Sequence, residues 1–276
     1  MEEKLKTYYK LEIQNYKFGM NGYLYKNLRK ILDVAIPNKW DALFLVSGRE
    51  GAGKTTLATQ IALFLDEDFS LRHTVFTPEQ FEAVIESCPE ESAILWDEAV
   101  TGAQSTQSAT TISIAIVSRL TQIRKKKLKI ILCHPYFWLL NKYFISRCIG
   151  GFYVYANGFD DRGYGYAYNT DQIEYLFSLM KEKYRLAPRS AINIAHKSFR
   201  FRFPGKFCLN EKEYDTKKEL ARKGDIRQDE KMVMVKRLAK HCKYLGATNK
   251  EIGELVNRTE RTISRWFEDR QTPTYI

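Results

Sequence analysis

Gly48-Arg49-Glu50-Gly51-Ala52-Gly53-Lys54-Thr55 reads G-x-x-x-x-G-K-T. The run before it, Leu43-Phe44-Leu45-Val46-Ser47, is short and apolar, as a buried parallel strand is. The run after it, Thr56 to Leu65, carries helix formers and an apolar stripe. Glycines between a strand and a helix let the backbone curl so that its N–H groups point at phosphate oxygens. The helix adds its positive N-terminal end. The stretch therefore has the pattern of a phosphate-binding loop, lined by Gly48, Gly51, Ala52, Gly53 and Thr56. In such a loop Lys54 reaches the β- and γ-phosphates and the Thr55 hydroxyl ligates Mg2+. The expected fold class is α/β, a P-loop nucleotide-binding domain built on a largely parallel central sheet.

A second motif lies downstream. Ala93-Ile94-Leu95-Trp96 is another apolar strand, and Asp97-Glu98 emerges at its C-terminal end. Ligands of open α/β sheets sit beyond that end of the strands. Asp97 is the candidate holder of Mg2+ and Glu98 the candidate base that orients and activates water for attack on the γ-phosphate. The pair points to Mg2+-dependent hydrolysis of ATP, and no guanine-reading N-K-x-D motif is present.

The remaining elements follow in order. Leu24, Leu28, Ile31 and Leu32 predict a short amphipathic helix among the tyrosines and basic residues of the first 40 positions, packed on the nucleotide domain. His73 to Phe76 predicts a strand, and Thr77-Pro78 a helix start. Thr101 to Thr111 reads as a mobile polar loop, and Ile112 to Ile123 as a helix bearing Arg119 and ending in the basic cluster Arg124 to Lys127. Leu128 to Cys133 is a further strand, with His134 at its tip in a position to sense a terminal phosphate. Gly151 to Tyr155 is another strand, and Arg200-Phe201-Arg202-Phe203 alternates as an edge strand with one basic face. Glu211 to Gln228 is polar and is expected to be a linker, partly helical.

Arg124-Lys125 before a strand, His134-Pro135 after it, then Leu140 and Ile145-Ser146-Arg147, resemble the FtsK/HerA superfamily of DNA-pumping ATPases. The alternating Arg162 to Tyr168 segment also looks like its smaller viral and plasmid members, the zonula occludens toxin-like and DNA-packaging ATPases. The resemblance covers residues 43–178. It implies the additional-strand type of P-loop fold and a homo-oligomeric ring, commonly a hexamer, with an arginine donated from the neighbouring subunit. Arg147 and Arg119 are the candidates for that arginine. His134 stands where the superfamily commonly has Gln.

The C-terminal part predicts a third unit. Met232 to Leu245 reads as a helix ended by Gly246, and Thr248 to Glu251 as a capping box opening a second helix with Ile252, Leu255 and Val256 inward. Asn257 tolerates the left-handed turn, and Thr259 caps a third helix with Ile263 and Trp266 inward. The spacing is that of a helix-turn-helix, and its third helix resembles the recognition helix of resolvases and small regulators. Arg258, Glu260, Arg261, Ser264 and Arg265 are then the residues directed at DNA.

A net charge of +11 and a pI of about 9.3 favour an anionic partner such as DNA. The five scattered cysteines suggest neither disulfides nor a zinc site and fit a reducing cytoplasm, that of a host if the source is viral. The N-terminal residues lack the apolar core of a signal peptide, and no membrane span is expected. The expected organisation is an N-terminal extension (1–42), an ATPase core (43–178), a basic connecting region (179–230) and a small all-α DNA-binding domain (231–276). The expected activity is that of an ATP-hydrolysing motor that translocates or packages DNA for a virus, plasmid or other mobile element. The alternative is an ATP-switched DNA-binding regulator or recombination or replication accessory factor. A small-molecule kinase is disfavoured by Asp97-Glu98 and the basic tail.

Overall fold

Leu43 to Val46, Ile94 to Trp96 and Ile130 to Leu132 are apolar on both faces and almost fully shielded. Strands of that kind are stable inside a parallel sheet covered by helices on both sides. The computed structural model describes residues 7–97, 112, 114–158, 160–182 and 188–268. Its elements are β1 (Tyr8–Ile13), β2 (Tyr16–Asn21), α1 (Gly22–Lys30), β3 (Ala42–Gly48), α2 (Lys54–Leu65), β4 (Thr74–Val75), α3 (Pro78–Ser87), β5 (Ala93–Asp97), α4 (Leu120–Lys125), β6 (Lys129–Cys133) and α5 (Lys142–Arg147). There follow β7 (Gly150–Tyr155), β8 (Tyr164–Tyr168), α6 (Thr170–Glu182), α7 (Pro188–Ile194), β9 (Phe199–Arg202), α8 (Glu211–Tyr244), α9 (Asn249–Leu255) and α10 (Glu260–Glu268). The polar loop expected over 101–111 lies outside the described residues.

Seven strands form one sheet in the order β4-β5-β6-β3-β7-β8-β9. β4 through β7 run parallel, and β8 and β9 add antiparallel at the edge. The fold class is therefore α/β with a mostly parallel central sheet. β3 lies between β6 and β7, and β5 is reached across β6. α2 is buried along Leu57 to Leu65, which makes it the central covering helix. The Thr77 hydroxyl accepts from the Gln80 N–H at the start of α3, with Pro78 in the first turn, as the sequence predicts.

Two departures from expectation concern the flanks. Residues 8–21 form an antiparallel hairpin that the tyrosine-rich composition did not announce. Tyr9 stacks on Tyr25 at 3.9 Å and Tyr25 meets Phe64 of α2 at 5.3 Å, so these aromatics serve packing. The stretch expected to be a linker, from Glu211 on, is instead the start of the continuous helix α8. The Lys217 ammonium donates to the carbonyls of Leu71 at 2.9 Å and Thr74 at 2.7 Å, so tertiary contacts hold a sequence of low apolar content helical.

The chain divides into two units, the first ending at Lys218 and the second starting at Glu219. This boundary falls inside α8 and earlier than the expected one at 230. In the second unit Gly246 and Asn257 take the left-handed conformation and Thr248 with Glu251 forms the capping box. Its core is small: Ala239, Ile252 and Ile263, flanked by Val256 and Trp266. Leu255, expected to face inward, is 64% exposed, and on this helix Ile252 and Val256 make the contacts with the core instead.

Candidate active site

The loop after β3 begins with backbone that other residues cannot adopt. Gly48 has φ of +139°, and a Cβ there would stand 2.1 Å from the Val154 carbonyl oxygen of β7. Gly51 and Gly53 have φ of +72° and +99°. Gly53 in the left-handed region precedes α2, so the first N–H groups of that helix, which have no partner inside it, open toward the loop. Lys54 folds back across the loop, its ammonium 2.9 Å from the Arg49 carbonyl oxygen. Burial lowers its pKa, with nearby acidic groups opposing the shift. Ala52 closes a tight turn onto the Arg49 carbonyl, and Thr56 follows within the first turn of α2.

The sheet brings the second motif to this loop. Asp97 ends β5 level with Cys133 of β6, which is in turn level with Val46 of β3. Asp97 is 4% exposed, and its Oδ2 accepts from the Thr55 hydroxyl at 3.1 Å. His134, fully buried, stands just after β6, between these two strand ends. Its N–H donates to the Val46 carbonyl, and its Nδ1 accepts from the Tyr136 N–H at 3.0 Å. Glu98, the expected base, lies outside the described residues.

Sequence reasoning missed two further groups at Asp97. Lys218 of α8 places its ammonium 2.9 Å from Oδ2, and the Tyr214 hydroxyl, one helical turn earlier, donates to the same oxygen. Lys218 and Tyr214 also touch each other at 3.3 Å. Burial and the adjacent carboxylate push the Tyr214 pKa well above the ordinary phenol value, so the phenol stays protonated and donates. The signal was present as Tyr214, Lys217, Lys218 and Ala221, spaced to share one helix face.

The residues present fit a phosphate chain with a divalent cation. A hydroxyl and a carboxylate are hard oxygen donors of the kind Mg2+ takes. Asp97 Oδ2 already pairs with a cation, the Lys218 ammonium, at 2.9 Å. At Gly51 nothing lies within 4 Å of where a Cβ would stand, so this part of the cradle is open.

The arginine candidates sit elsewhere. Arg147 binds the buried Asp41 through both carboxylate oxygens, each at 3.0 Å. Asp41 precedes β3, so this pair lies at the end of the strand opposite the glycine loop. Arg119 pairs with Glu82 at 3.2 Å. In the second unit Arg258, Arg261 and Arg265 are exposed. Ser264, half-buried, accepts from the Asn249 side chain at 3.0 Å, a contact between α10 and α9.

No protein-family model matches the chain, and no curated protein matches it as a relative. Among the described residues no helix is long and apolar enough to cross a membrane.

Proposed function

We propose that this chain is an ATP-hydrolysing, DNA-binding motor that moves or packages DNA for a virus, plasmid or other mobile element. In this reading it is a P-loop ATPase of the additional-strand type, akin to the FtsK/HerA superfamily, with a helix-turn-helix module at its C-terminal end. It works as a homo-oligomeric ring in the cytoplasm, or in that of a host. The observation that carries the reading is the 3.1 Å contact between Thr55 Oγ1 and Asp97 Oδ2, from residues 42 positions apart. Two motifs that name the same chemistry separately meet at one point.

The roles follow from the site. The glycine loop and the start of α2 bind the phosphates through backbone N–H groups. Thr55 and Asp97 would hold Mg2+, which supplies charge neutralisation on the phosphates when bound. Lys54 swings from the Arg49 carbonyl to the phosphates and stabilises charge on the transferred group. Glu98, the residue after Asp97, orients and deprotonates the attacking water. In this reading His134, which follows β6 between the two strand ends, senses the terminal phosphate. Glu98→Gln is expected to keep ATP binding and to lose turnover by about a hundredfold or more. Wild-type turnover in that variant would remove Glu98 from the mechanism.

One observation favours the second reading, an ATP-switched regulator or accessory factor: Tyr214 and Lys218 already engage Asp97, which suits slow turnover. ATPase rates without DNA, with random duplex and with single strands, together with mass by light scattering, separate the two. Sequence-independent stimulation in a ring-sized species supports the motor. Slow, DNA-indifferent turnover in a monomer or dimer supports the switch.

A further inference from the structure

A cavity of about 630 Å³ lies against the glycine loop on the β7–β8 side, away from Asp97. Its size falls within the range of about 300–1,000 Å³ typical of small-molecule sites. Its lining includes Gly51 and Ala52 of the loop, Tyr155 and Tyr166 of the sheet, and the exposed Asn157 and Asn193.

The tyrosines belong to an ordered ladder. In the β7–β8–β9 register Tyr155 is opposite Tyr164, Tyr166 is opposite Arg200, and Tyr164 is opposite Arg202. Residues opposed in this way share one face of the sheet. The other face carries Phe152, Val154 and Phe201, all buried, while on the tyrosine face Tyr166 also packs against the core beside the buried Tyr168. Tyr155 stacks on Tyr166 with centroids 4.7 Å apart and planes 22° apart. The Arg200 guanidinium lies 5.4 Å from the Tyr166 centroid, and that of Arg202 lies 4.5 Å from the Tyr164 centroid. Held from the β9 side, these half-buried rings form a pre-ordered aromatic wall facing a phosphate-binding loop.

The geometry points to this cavity as the subsite for the base and sugar of the bound nucleotide. The inference rests on the nucleotide reading above. A nucleoside triphosphate is elongated. With its terminal phosphate toward Thr55 and Asp97, its other end leaves the loop on the opposite side, where the cavity is. A nucleobase there packs against the tyrosine wall at Tyr155, whose ring is itself held by stacking on Tyr164 at 5.4 Å and Tyr166 at 4.7 Å, and the carboxamides of Asn157 and Asn193 offer paired donors and acceptors for its edge.

The test is calorimetric binding of Mg·ATP and of Mg·tripolyphosphate to the full chain and its variants. Tyr155→Ala is expected to weaken ATP about tenfold or more, the scale of one stacked base, and to leave tripolyphosphate unchanged. Tyr155→Phe keeps the ring and is expected to bind both like the wild type. Asn157→Ala, at an exposed position, is expected to weaken ATP severalfold without affecting tripolyphosphate, and it stands in if Tyr155→Ala does not fold. Unchanged ATP binding in folded Tyr155→Ala, or equal losses for both ligands, overturns the subsite. Loss of binding to a fluorescent oligothymidylate with ATP unaffected also overturns it, and assigns the ladder to single-stranded nucleic acid. A wild-type chain that binds tripolyphosphate and ATP equally well refutes the subsite alone. One that binds neither refutes the nucleotide reading as well.

Discussion

At the scale of single residues, two glycines of one loop make different demands. Gly48 combines φ of +139° with a neighbouring carbonyl oxygen 2.1 Å from where a Cβ would stand. Gly51 has φ of +72° with nothing within 4 Å. Gly48→Ala therefore adds a backbone clash to conformational strain and is expected to cost about 3 kcal/mol or more, read as a fall in urea midpoint. Gly51→Ala faces only the left-handed penalty and is expected to cost about 1–2 kcal/mol. Equal losses at the two positions would mean that the close approach of β7 to the loop does not constrain it.

At the scale of elements, the first turns of α8 and the last turn of α5 act on opposite ends of the sheet. If Asp97 Oδ2 takes a divalent cation, as the proposed function has it, the Lys218 ammonium now 2.9 Å away competes with the metal for that oxygen. Lys218→Met is expected to lower the Mg2+ concentration needed for half-maximal nucleotide binding by about tenfold, equivalent to about 1.4 kcal/mol, in a titration followed by a fluorescent ATP analogue. A higher Mg2+ requirement would instead show the ammonium working alongside the metal. Arg147 on α5 shields the Asp41 carboxylate, whose side chain is 2% exposed. Arg147→Ala leaves that charge buried and unpaired, with an expected loss of about 3–5 kcal/mol in chemical denaturation. If the variant melts like the wild type but loses turnover only when assembled, Arg147 acts on a neighbouring subunit rather than in its own fold.

At the scale of the whole molecule, the excess of basic residues sets the electrostatics. Residues 231–276 carry ten Lys and Arg against five Asp and Glu, and Arg258, Arg261 and Arg265 are exposed. If these three arginines meet phosphates, replacing all of them by alanine lowers the slope of log affinity against log salt by up to about 3, at about 0.9 per contact. The measurement is duplex binding across a salt series. An unchanged slope would move the DNA contact to the larger unit, whose β9 presents Arg200 and Arg202.

Local chemistry was legible in the chain itself. A strand, a glycine turn and a helix in succession define the loop around Gly48 to Thr55. Thr77, Thr248 and Asn257 take the capping and left-handed roles that their side chains favour, because those preferences act within a few residues. The edge strand at Phe199 to Arg202 was legible from its alternation. Other features needed the fold. Asp97 reaches Thr55 only because β6 separates β5 from β3 by one strand, and strand order is a long-range property. Tyr214 and Lys218 looked like parts of a polar linker, since a helix of low apolar content gains its order from what it docks on. The pairing of Arg147 with Asp41, 106 residues away in the chain, was likewise not legible in the sequence. Motifs are written in neighbouring residues, whereas the partners of a buried charge are chosen by the packing of the whole sheet.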